Sequence, residues 1–127
     1  SWRGEENLAT PAEAARIMEV LFRGEFLDRK TCDAVLAILR KGKPGAIKSA
    51  LPADVAVAFK PGSIGGVTAE WAVVLLQDRP YVLVVMENYG VGDDATIATK
   101  EIARVTFEHF SRMAKATPSG SYVDKPR

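Results

Sequence analysis

Residues 54–76 read DVAVAFKPGSIGGVTAEWAVVLL. Val55, Val57 and Phe59 alternate with Ala56, Ala58 and Lys60, the period-two pattern of a strand with one face in a core. The glycines that follow predict a turn, and Thr68 to Gln77 predicts a second strand. Lys60 is the only charge between Val55 and Ala69. A strand that finishes in a lone lysine and then a flexible glycine turn brings a cation and free backbone N–H groups together. Anion-binding sites are built that way. The plainer alternative is that Lys60 merely ends an exposed strand.

Downstream, Asp78-Arg79-Pro80 separates the second strand from a third over Tyr81 to Glu87, giving a β-hairpin whose near-continuous apolar content predicts burial on both faces. Asp93 or Asp94 then caps a long helix reaching about Lys115. Ala98, Ile102, Val105 and Met113 form its expected inner stripe, with Phe110 beside it and His109 at its boundary. Upstream, Thr10-Pro11-Ala12-Glu13 is a helix start, with a hydroxyl for the N3 amide and a glutamate to reach back. Ala14, Ile17, Met18, Leu21 and Phe22 share one face, and Gly24 ends that helix. Asp28 or Thr31 caps a second helix, with Cys32, Val35, Leu36 and Leu39 inward and Gly42 as its stop. The two should form a helical hairpin. Lys43-Pro44-Gly45 is a turn, and residues 46–52 lead into the first strand.

The expected fold is α+β of three-layer type: an antiparallel three-stranded sheet flanked by the helical hairpin and the long C-terminal helix. Residues 1–115 form this segment, and 116–127, of turn-forming composition, read as a flexible tail.

A chain of 127 residues, 47% hydrophobic and 26% charged, has the profile of an ordinary globular domain. Its formal charge of +1 argues against nucleic acid or a membrane surface as partner. No apolar run reaches the length of a membrane span, and the opening SWRGEEN shows no targeting signal. The single cysteine, Cys32, excludes an internal disulfide and reads as a buried, inert thiol. With His109 as the only histidine, neither a zinc site nor any other metal or cofactor is expected. A Ser–His–Asp triad through Ser63 would require His109 to reach it.

Three stretches, NLATPAEAARIM, SALPADVAVAFKPGSIGG and RPYVLVVM, together resemble the C-terminal portion of a class A β-lactamase-like serine hydrolase, of the penicillin-recognising enzyme family. The similarity runs from about Asn7 to Met113. Lys60-Pro61-Gly62 stands where that family has its Lys-Thr/Ser-Gly box. The resemblance implies that Lys60 supplies positive charge near the nucleophile and that the Ser63 backbone N–H is an oxyanion-hole donor. It also implies substrate contacts at Pro61 and Gly62, with Glu70 and Trp71 near the cleft mouth. For the last two, an exposed carboxylate and a packed indole are the alternatives. Proline offers no hydroxyl where the family has one, so an esterase or amidase of the same fold competes with a β-lactamase.

No serine here has a lysine three residues on, and Ser-Asp-Asn is absent. The resemblance therefore implies a segment lacking the nucleophile, inactive alone, whose partner is the missing N-terminal half or a swapped copy of this chain. A small amide or ester would be the substrate of the complete enzyme. The parent would be periplasmic or secreted, as the family usually is. A non-catalytic binding or structural module is the second reading. Without further strands, Tyr81–Met86 would present an uncovered edge.

Overall fold

The computed structural model describes residues 8–25, 27–42, 45–91 and 93–116. The expectations for Lys43 and Pro44 and for the tail from residue 117 lie outside these. Helix α1 spans Pro11–Arg23 and α2 spans Arg29–Arg40. Both start as the sequence predicts. Thr10 and Glu13 close a capping box, Gly24 ends α1 in the left-handed conformation, and Asp28 caps α2 by accepting from the Thr31 N–H. A further helix, α3 at Ala46–Ser49, replaces the expected plain lead-in to the first strand.

Strands β1 (Val57–Ile64), β2 (Val67–Val74) and β3 (Tyr81–Asn88) form an antiparallel sheet in the order β1-β2-β3. β1 continues past Lys60 through Pro61, Gly62 and Ser63, so the turn is only Gly65-Gly66. Helix α4 spans Asp94–Ala114. The α+β architecture is thus the expected one, with both sheet faces covered. On one face Val57, Phe59, Ala72, Val74, Tyr81 and Val85 pack beneath α3 and α4, through Ile47, Leu51 and Ala103. On the other, Ala58 and Val73 meet Met18 of α1 and Leu36 of α2.

Two helix faces differ from the sequence reading. Ile17 is 52% exposed, because Ala14 and Met18 already fill the contact of α1 with the sheet. In α4 the inward residues are Ala95, Thr99 and Ala103, with Phe107 and Phe110 packed against the core. Ala98, Ile102, Val105 and His109 all face solvent. Small residues let α4 lie close to the sheet, so the bulkier stripe is turned away from it. The His109 ring meets the Phe110 ring edge-on, centroids 5.4 Å apart. Cys32 is buried as expected, its Sγ directed at the Leu27 carbonyl.

Truncating Met18 to alanine should cost about 2–5 kcal/mol, whereas Ile17→Ala should stay within about 0.5 kcal/mol. Urea unfolding of the two variants compares them directly, and equal losses would contradict the packing of α1 described above.

Candidate functional site

The register of the sheet decides what β1 offers to a ligand. The Leu75 N–H donates to the Ala56 carbonyl at 2.9 Å, and the pairs continue as Ala58↔Val73, Lys60↔Trp71, Gly62↔Ala69 and Ile64↔Val67. In an antiparallel ladder hydrogen-bonded and non-bonded pairs alternate. The even-numbered residues of β1 therefore spend their main-chain groups on β2. Pro61 and Ser63, at the alternate positions, point theirs away from the sheet, where β1 has no neighbour among the described residues. The Ser63 N–H is a donor on an open edge. Proline is tolerated at 61 for the same reason, since an N–H there would bond to nothing in the sheet.

Side chains divide by the same parity. Lys60 and Gly62 project on the α1–α2 side but beyond those helices; a Cβ on Gly62 would meet nothing within 4 Å. The Lys60 side chain is exposed, and its Nζ donates to the Pro61 carbonyl at 2.6 Å. That carbonyl lies on the outward edge, so the ammonium and the Ser63 N–H share one edge of one strand. Trp71, across from Lys60, packs half-buried against the α1–α2 core.

On the opposite face, a groove of about 580 Å³ runs between α3 and α4, and Pro61, Gly62, Ser63, Glu70, Thr99 and Lys100 are among its walls. Lys60 is not. The Lys60 ammonium and the Ser63 N–H lie along the strand edge, and Lys60 projects from the face of the sheet opposite the groove.

Glu70 is neither exposed nor at a cleft mouth. It is 6% exposed, directly across from Pro61, and accepts from the N–H of Ala46 at 2.9 Å and of Ile47 at 3.2 Å. These are unpaired first-turn donors of α3, a helix whose N-cap, Gly45, has no side chain to satisfy them. A Cβ at Gly45 would lie 2.0 Å from a Glu70 carboxylate oxygen, so the glycine is fixed by the glutamate. Glu70 thus bolts α3 to the centre of the sheet behind Pro61. Burial raises its pKa above the ordinary value, against the smaller opposing pull of the Ile47 and Ala46 N–H groups. Sequence reasoning missed this role. The available signal was an acidic residue at an inward position, in phase with Ala72 and Val74. Alongside, Thr99 of α4 donates to Glu87 of β3 at 2.7 Å. No cluster of histidine, cysteine, aspartate and glutamate able to hold a metal exists among the described residues.

The profile of a β-lactamase enzyme family matches residues 1–110. The chain belongs to the β-lactamase enzyme family. Among solved structures, a β-lactamase from Sphaerobacter thermophilus is 24% identical, with a TM-score of 0.77 over 87% of this chain and 44% of that one. A β-lactamase from Burkholderia vietnamiensis is 27% identical, with a TM-score of 0.69 over 79% and 39%. The protein PBP-A is 20% identical, with a TM-score of 0.72 over 81% and 40%. No curated protein matches the sequence. This β-lactamase-family chain therefore spans about two-fifths of the length of the structures it matches. No helix among the described residues is long and apolar enough to cross a membrane.

Between the ordinary glutamate value of 4.5 and the raised folded value, the folded chain holds a proton that the unfolded chain has released. Stability should therefore fall as pH rises through that window. Glu70→Gln should flatten this slope in denaturant titrations at several pH values. An unchanged slope would show that Glu70 does not titrate as its burial requires.

Proposed function

We propose that this chain supplies the substrate-edge wall of a serine acyl hydrolase of the β-lactamase type. The observation that carries the reading is the open edge of β1, where the register leaves the Ser63 N–H outward and the Lys60 ammonium donates to the outward Pro61 carbonyl. An acyl carbonyl lying along that edge accepts from the Ser63 N–H, and negative charge developing on its oxygen in the tetrahedral transition state is held there. Lys60 adds a full positive charge beside it. Gly62, with empty space over its Cα, lets the substrate approach the strand closely. Pro61 shapes the same edge without a hydroxyl, which weakens any grip on a substrate carboxylate. Glu70 lines the groove from its floor, keeping α3 under Pro61.

The nucleophile must come from residues outside this sequence, since no Ser-x-x-Lys occurs in it. The remainder of the domain provides it, attacking the acyl carbon while the leaving group takes a proton. In PBP-A, a variant forms an acyl-enzyme complex with penicillin G. By that analogy the substrate class is a β-lactam or a related small amide or ester, and the compartment is periplasmic or extracellular. Pro61 favours a second reading, an esterase or amidase of the same fold.

The chain alone should give no nitrocefin turnover. Joined to a polypeptide that completes the domain and carries Ser-x-x-Lys, it should turn over nitrocefin or a simple ester. Lys60→Ala should then lower that rate about 10²-fold or more. Turnover by the isolated chain, or a completed enzyme indifferent to Lys60→Ala, would overturn the proposal.

A further inference from the structure

The sheet loses its core part-way along β1. Val57 and Phe59 are buried with Val74 and Ala72 on the α3–α4 face, but every residue from Lys60 to Ile64 is exposed. On β2 the last buried residue before the turn is Glu70, the partner of Pro61. Pro61 and Glu70 form a non-bonded pair of the ladder, the kind in which Cα atoms stand about 4.5 Å apart and side chains come closest. The outer half of β1, which carries the Ser63 N–H, is therefore seated on this face by a carboxylate instead of an apolar side chain.

Both oxygens of that carboxylate are engaged, Oε2 by the Ala46 N–H and Oε1 by the Ile47 N–H. Ionised, it accepts twice. Protonation makes one oxygen a donor and weakens it as an acceptor, with an N–H still aimed at it. One of the two ties to α3 is weakened, and with it the seat of Pro61. No neighbouring charge compensates. On α3, Lys48 gives its ammonium to the Pro52, Ala53 and Val55 carbonyls, and on β3, Glu87 accepts from Thr99. Lys100 of α4 lines the groove, and Lys60 of β1 projects from the opposite face. None of these forms an ion pair with Glu70, whose ionisation is set by burial against the two N–H groups.

We propose that Glu70 is a positioning residue of the acyl-transfer edge, and that the Ser63 donor stands in its working place only while this carboxylate is ionised. The inference rests on the hydrolase reading and adds regulation of that site by pH. Burial makes the folded carboxyl keep its proton above the ordinary value of 4.5, so activity is lost as pH falls through the raised value, while stability is gained. Keeping a charge where a neutral group would fold better is the stability–activity trade-off of a functional site.

Glu70→Gln copies the protonated carboxyl, with one acceptor and one donor. In the domain completed with Ser-x-x-Lys, the wild-type kcat/KM should show an acid limb with its midpoint above 4.5. Glu70→Gln should lack that limb. At neutral pH its kcat/KM should lie about 10-fold to 10²-fold below wild type, mainly in kcat, because the donor acts in the transition state. Gly45→Ala, whose Cβ would lie 2.0 Å from a carboxylate oxygen, should cause a similar loss with the glutamate retained. By NMR of the chain, the Ser63 amide should titrate with the same midpoint as the amides of Ala46 and Ile47. A wild-type profile without the limb, or a limb that Glu70→Gln leaves unchanged, overturns the inference. So does a Ser63 amide that does not follow Ala46 and Ile47. A completed domain that turns over no substrate sinks the hydrolase reading, and the Ser63 titration still decides whether Glu70 sets the edge.

Discussion

In an antiparallel ladder each residue gives its main-chain pair to one side only, and that parity governs this fold. The Ala56–Leu75 bond sets the phase for β1 and β2, and the register carries it across to β3. Everything the sheet can offer beyond itself follows from that phase. On one edge it presents the odd-numbered residues of β1, ending in Ser63, with proline at 61. On the opposite edge it presents Val82, Val84 and Met86. Because helices cover both faces, the edges are where unsatisfied backbone remains.

Holding the functional edge in place is the work of a buried carboxylate. Glu70 sits across from Pro61 and satisfies the first turn of α3, which cannot cap itself. A charged group taken out of water is costly unless hydrogen-bonded. The two N–H groups therefore tie the position of α3 to that of the strand beside β1. The glycine at 45 belongs to the same arrangement, since any side chain there would occupy the space of the carboxylate.

Much of this was legible in the sequence where the signal was local. The alternation of Val57 and Phe59, the Thr10–Glu13 box and the Asp28 cap each act within a few residues, and each appears in the fold, whereas the glycine turn expected directly after Lys60 begins only at Gly65. What failed depends on contacts distant in the chain. The α4 stripe of Ala98, Ile102 and Val105 has sound helical periodicity, but periodicity cannot say which of two apolar faces meets the sheet. Ala95, Thr99 and Ala103 won because small side chains allow closer approach. Helix α3 is too short to show a period, and Glu70 read as a cleft-mouth or exposed carboxylate because its partners lie more than 20 residues away. The Lys-Pro-Gly box was found by its place after an apolar strand. That its ammonium and the Ser63 N–H share an edge, with the groove on the other face, required the register.

The most direct test is amide hydrogen exchange along β1, read residue by residue by NMR. The ladder described here protects the N–H groups of Lys60, Gly62 and Ile64, which bond to β2, and leaves that of Ser63 exchanging freely. A Ser63 amide as protected as its neighbours, or the reverse pattern, would place the donor inside the sheet and remove the basis for a substrate edge.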